Sequence, residues 1–204
     1  MKNFNLLVIV FLVSVSMVAQ KRGSVVLDVY GSYVFSDRVD FDGGYTTIGD
    51  GLQYGAGLEF FTHRSNSVEI KYLRIDTSMP LYYLGSNRSS SNDNGAINYI
   101  LLSGNHYFEN GGNAVPFLGG GIGIGILETP NQGNDNNFAW EIKGGVKIKT
   151  AAVVSLSLQA TLQSMVIHTG YDTYWNGWYG PVQVATYVNS FQFGLGAVLG
   201  FNFK

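Results

Sequence analysis

The chain has no cysteine among its 204 residues, and only 13% of them are charged. The first absence removes a disulfide framework, a thiolate metal site and a lipidated cysteine. The second is too little for a soluble surface, which carries about 25–35% charged residues, and suits a wall that faces lipid. A net charge of −2 leaves no basic footprint, so nucleic acid is excluded as a partner. Beyond the N-terminus there is no apolar run able to cross a membrane as a helix. The most apolar later stretch, 115–127, holds five glycines and a proline. Metal-ligand spacing, phosphate loops and nucleophile elbows are also missing, so no metal, cofactor or catalytic residue is expected. The G-x-G of Gly119, Gly121 and Gly123 sits in a strand-like segment, and a dinucleotide site needs a helix after the turn.

What is present begins with a secretory signal. Lys2 precedes the apolar run 6–13, and Ser14, Ser16 and Ala19 follow it. The expectation is a signal peptide over 1–19, cleaved before Gln20, with cleavage after Ser16 as the alternative. Residues 20–204 then form one exported domain, and an exported chain without a spanning helix can enter a membrane only as strands.

From Ser24 onward, strand-like segments alternate with connections that are short, then long. The short ones are 63–66, 109–114 and 150–152; the long ones are 37–50, 78–95, 128–136 and 167–188. Seven connections join eight strands, with every short turn on one rim. That asymmetry predicts an all-β, eight-stranded, antiparallel up-and-down transmembrane barrel with short periplasmic turns and longer extracellular loops.

The faces agree with this. Phe138, Trp140, Ile142, Val146 and Ile148 share one face of their segment, opposite Glu141, Lys143 and Lys147. Val154, Leu156, Leu158 and Leu162 oppose Ser155, Ser157, Gln159, Thr161 and Gln163. Near the C-terminus Phe191, Phe193, Leu195, Leu199, Phe201 and Phe203 alternate with Gln192, Gly194, Gly196 and Gly200. A soluble barrel also alternates, with the apolar face inward. Aromatics near strand ends, small Gly-rich polar faces and long connections on one rim select the membrane form. In 66–78 the count puts Arg74 and Asp76 on the lipid face, so that strand either leaves the membrane near Tyr72 or bulges near Leu73.

The segments resemble the small eight-stranded outer-membrane barrel proteins common in Bacteroidetes-type bacteria, akin in architecture to the OmpA/OmpX barrels. The resemblance rests on Met-Val-Ala-Gln at 17–20, on the Gly-Ile repeat of 116–126 and on the closing segment from Phe191 to Lys204. It implies outer-membrane lipid and lipopolysaccharide as neighbours. It also implies recognition of the last strand by the outer-membrane assembly machinery, through an aromatic residue that is here the penultimate Phe203.

Eight strands enclose a lumen just wide enough for side chains to fill. The expected inward charges are Asp28, Glu59, Glu69, Lys71, Glu141, Lys143 and Lys147, of both signs, and one permitted register sets Glu59 opposite Lys71. A polar network closing the lumen is the expectation, with a narrow conducting pore as the rival. The inward glycines Gly55, Gly57, Gly119, Gly121, Gly123, Gly125, Gly194 and Gly196 leave two uses open: accepting bulky neighbours such as Tyr30 and Phe61, or forming a pocket for a small apolar molecule.

Some barrels of this size are lipid-modifying enzymes with a His–Ser or His–Asp–Ser set at the outer rim. His63 and His106 fall at the short-turn end, and Val-Ile-His168-Thr-Gly lacks the closely spaced serine, so no enzyme is expected. Specificity then belongs to the long connections. In the fourth, Tyr171, Tyr174, Trp175, Trp178 and Tyr179 crowd together as a candidate contact for a surface glycan or protein, or as an interfacial belt. The expected role is structural or surface interaction in the bacterial outer membrane. The alternative is a narrow porin or a transporter of small hydrophobic molecules.

Overall fold

A computed structural model describes residues 24–41, 44–84, 86–87, 94–109, 111–129, 133–149, 153–176 and 180–203. The expected signal peptide lies outside these residues. Among the described residues twelve strands follow in chain order: β1 (Val25–Val34), β2 (Asp37–Phe41), β3 (Gly44–Ile48), β4 (Gly51–His63), β5 (Asn66–Ser78), β6 (Leu81–Tyr83), β7 (Ser86–Asn87), β8 (Asn94–Tyr107), β9 (Ala114–Thr129), β10 (Gly133–Lys149), β11 (Val154–Asn176) and β12 (Gly180–Phe203). Eight of them close into an antiparallel barrel in the order β1-β12-β11-β10-β9-β8-β5-β4, so every consecutive barrel strand is a neighbour and β1 seals against β12.

The period-two pattern decides which face is which. Val29, Leu58, Ile70, Ile100, Ile122, Ile142, Leu158 and Leu195 stand exposed on the outer wall. Their in-between neighbours Asp28, Glu59, Glu69, Lys71, Glu141 and Lys143 are buried. A soluble barrel would show the reverse. An apolar exterior around a charged interior is the solution for a wall solvated by hydrocarbon.

β5 holds its register without a break, from Asn66↔His106 to Ser78↔Asn94 against β8. There is therefore no bulge at Leu73. The apolar band of this strand ends at Tyr72, and Arg74 and Asp76 point outward above it.

The long connections are more ordered than loops. Those at 37–50 and 78–95 pair into a second sheet, β2-β3-β6-β7. The expected loop at 128–136 is mostly strand, since the β9–β10 ladder continues to Thr129↔Gly133. The fourth is also strand. β11 and β12, of 23 and 24 residues, remain paired as far as Asn176↔Gly180, with one register shift between His168 and Gly170.

The first connection covers the mouth. Val39 of β2 and Ile48 of β3 are buried with Val34, Leu73, Ile75, Ile97, Tyr99 and Met165 of the barrel interior. Hydrogen bonds at both of its ends fasten it. Phe191 N–H donates to Asp37 Oδ2 (2.7 Å), Gly49 N–H to Ser78 O (2.9 Å) and Thr77 Oγ1 to Gly49 O (2.7 Å).

Candidate functional site: a filled lumen and an extended hairpin

Among the described residues three layers of inward side chains succeed one another along the lumen. Beneath β2 and β3 lies the apolar layer just described. At the short-turn rim Tyr107, Val115 and Phe117 pack with Phe61, and the Phe61–Tyr107 and Tyr107–Phe117 ring centroids stand 5.3 and 5.5 Å apart. Between them runs an ionic layer.

Alternation brings Glu69 and Lys71 inward from β5, and Glu141, Lys143 and Lys147 from β10. Lys71 pairs with Glu141 and Lys143 with Glu69, each through a short charge-assisted hydrogen bond. Lys147 reaches Glu59 on β4 at 2.9 Å. Glu59 also accepts from Ser67, from Tyr107 (2.5 Å) and from Asn105 (3.0 Å). Above, Glu141 accepts from Gln163 (3.3 Å), Gln163 from Gln53 (2.9 Å) and Gln53 from Ser32 (3.3 Å). Lone charges in such a place would be costly, and each of these six has an opposite partner. The seventh expected charge, Asp28, is buried on β1 and enters none of the ion pairs among the described residues.

One expected pairing is corrected. Glu59 stands opposite Glu69, not Lys71, which faces Gly57. The cause is a register shift between Phe61 and His63 that tightens the hairpin. Two carboxylates thus sit side by side, and each is neutralised from across the lumen by a lysine of β10.

The glycines make those crossings possible. A Cβ at Gly119 would lie 3.1 Å from Lys143 Cε, and one at Gly57 would lie 2.8 Å from Lys71 Cβ and 3.3 Å from Glu69 Oε1. At Gly57, Gly119, Gly121, Gly125, Gly194 and Gly196 a Cβ would meet a neighbouring side chain, whereas at Gly55 and Gly123 it would meet the backbone of the adjacent strand. Of the two uses left open by the sequence, the arrangement supports packing.

The aromatic group of the fourth connection is divided. Tyr171, Tyr174 and Trp175 belong to β11, while Trp178 and Tyr179 lie outside the described residues. Pairing of β10 with β11 stops at Phe138↔Val166, and pairing of β1 with β12 stops at Val34↔Gly194. Phe193 and Phe191 still bond Phe35 and Asp37, and Ile167 and Val188 still pack on the interior cluster; beyond them β11 and β12 pair only with each other among the described residues, as a hairpin arm.

The histidines do not meet. His63 ends β4, His106 hydrogen-bonds Asn66 at the same rim, and His168 sits in β11 opposite Tyr187, toward the other rim. Among the described residues no group of histidines and carboxylates could hold a metal ion.

A cluster not read as a site in the sequence occupies the outer face above Tyr72. Arg74 forms ion pairs with Asp76 (2.8 Å) and Glu128 (3.2 Å), and Asn98 donates to Glu128 (2.7 Å). Tyr54 OH donates to Asp76 (2.9 Å), and Tyr33 OH to Asp50. The Tyr54 hydroxyl and then Arg74 hold Asp76 below the usual carboxylate range. At the mouth, burial pushes Asp37 up, against the lowering pull of the Phe191 amide. The available signal was the break in alternation at Arg74 and Asp76: charges on a lipid face need a reason.

No protein-family model matches the chain, nor does any curated protein at a significant level. Solved structures match it well. Neisserial surface protein A superimposes with a TM-score of 0.59 at 12% identity, over 88% of this chain and 97% of that one. The outer membrane protein OprG from Pseudomonas aeruginosa gives 0.54 at 13%, over 90% and 97%. The outer membrane protein AlkL, solved in DMPC bilayers, gives 0.52 at 16%, over 90% and 91%. The fold is that of the small eight-stranded outer-membrane barrels.

Proposed function

We propose that the protein is a non-enzymatic barrel of the bacterial outer membrane that works at the cell surface through its long-connection rim. It is exported through a cleaved signal peptide and folded by the outer-membrane assembly machinery. The single observation that carries this reading is the filled lumen. Apolar, ionic and aromatic layers occupy it in succession, and the crossing lysines take the space that the glycines leave. A through-pore would need a continuous polar path, so this arrangement weighs against a narrow porin.

Function on such a scaffold moves to what projects from it. The arm of β11 and β12 extends furthest along the ladder, and Tyr171, Tyr174, Trp175, Trp178 and Tyr179 are concentrated on or next to it. Aromatic side chains of this kind serve as anchors for glycans and protein surfaces. Deleting 171–180 from the full chain tests the assignment. Cells displaying the variant are expected to lose surface adhesion and glycan-array binding, while the barrel keeps its heat-modifiable migration. Unchanged adhesion and binding would reject the arm as the contact.

A further inference from the structure

The outward cluster around Arg74 lines a cleft of about 720 Å³, and the fold alone does not need it. Asp50, Arg74, Asp76, Ser78, Asn94 and Asn134 are among its walls, with Glu128 beside Arg74. Its volume is in the range of small-molecule sites, which are usually apolar with a few placed polar groups. This one is the opposite, with Ala96 its one apolar side chain. An apolar ligand would gain nothing there. A molecule bearing many hydroxyls would find acceptors and donors side by side.

Those groups are held in place before any ligand arrives. Arg74 is fixed between Asp76 and Glu128, Asp76 by Tyr54 and Asp50 by Tyr33. Carboxylate and guanidinium groups that already hold one another lose less side-chain entropy on binding than free ones. Position selects the source of the hydroxyls. Arg74, Asp76 and Glu128 point outward from the wall beyond Tyr72, where the apolar band of β5 ends, and Tyr54 of β4 stands beside Arg74 as its cross-strand partner. In a bilayer, that level is occupied by headgroups.

We propose that this cleft seats the saccharide headgroup of an outer-leaflet glycolipid. Asp76, Glu128 and Asp50 accept hydrogen bonds from sugar hydroxyls, while Arg74 and Asn134 donate to ring and hydroxyl oxygens. The inference rests on the outer-membrane reading and deepens it by naming the residues that touch the leaflet.

Native mass spectrometry of the full-length protein, released from nanodiscs that contain purified rough lipopolysaccharide and phosphatidylglycerol, tests it. The wild type is expected to retain lipopolysaccharide over phosphatidylglycerol. The isosteric double variant Asp76→Asn, Glu128→Gln is expected to retain at least tenfold less, with phosphatidylglycerol unchanged. Asn134→Ala, at the edge of the cleft, is expected to give a smaller loss and guards against misfolding of the double variant. Equal retention by wild type and both variants would overturn the proposal. So would retention that vanishes with EDTA, which would mean a cation-bridged phosphate, or equal binding of the free core oligosaccharide, which would mean a soluble glycan. A barrel that fails to enter nanodiscs at all would instead contradict the outer-membrane reading itself.

Discussion

Lys143 on β10 reaches Glu69 on β5 across two intervening strands, passing over the backbone of Gly119. Two residues along the same strands, Lys71 and Glu141 make the reverse crossing. The order of charges on β10 is thus complementary to that on β5, and the two walls are locked together through the lumen.

Removing one member of such a pair leaves the other charge buried alone, at a cost of about 3–5 kcal/mol. Lys143→Met is expected to lose that much stability in urea unfolding from lipid vesicles. Adding Glu69→Leu to it should recover most of the loss, because two apolar side chains of similar volume need no partner. A single variant as stable as the wild type would show that the pair is solvated in the lumen.

Gly119 tests the same crossing from below. A side chain there would push against Lys143 and Asn105. Gly119→Val is expected to destabilise the barrel by about 1–3 kcal/mol through overpacking, measured in the same unfolding assay. Gly104 faces outward with nothing within 4 Å of a Cβ, so Gly104→Ala is the matched control with little effect.

Asp76 carries a pH signature. With its carboxylate held low by Tyr54 and Arg74, the folded state favours the charged form. Whatever stability it contributes is present above its ordinary value of about 3.9 and is lost as pH falls through the lowered one. NMR titration of the Asp76 carboxyl carbon should therefore show a midpoint below that value. Arg74→Gln should move it upward, and Tyr54→Phe should do the same.

The faces of this barrel were legible because alternation is a local property. Phe138 to Ile148 and Glu141 to Lys147 sort themselves without knowledge of any other strand. Register was less so, since the hairpin between β4 and β5 has an irregularity between Phe61 and His63 that shifts Glu59 from Lys71 to Glu69. The cross-lumen partners were hidden for a different reason. Glu69 and Lys143 are 74 residues apart, and which inward groups meet depends on the closed geometry of the barrel. Strand pairing within the long connections was hidden because polar and glycine-rich stretches mask it. Yet Asn176-Gly177, followed by β-branched Val182, Val184, Thr186 and Val188, already carried a hairpin signal. The Arg74 cluster appeared in the sequence as an anomaly on a lipid face, and the structure explains it as a polar cleft above the apolar band.

The central claim is that the lumen is filled, and single-channel recording in planar bilayers tests it most directly. The full barrel is expected to show no stable open steps, and Lys143→Met to show none either, since the apolar layer beneath β2 and β3 still closes the mouth. Sustained, reproducible conductance steps from the wild-type barrel would contradict the account.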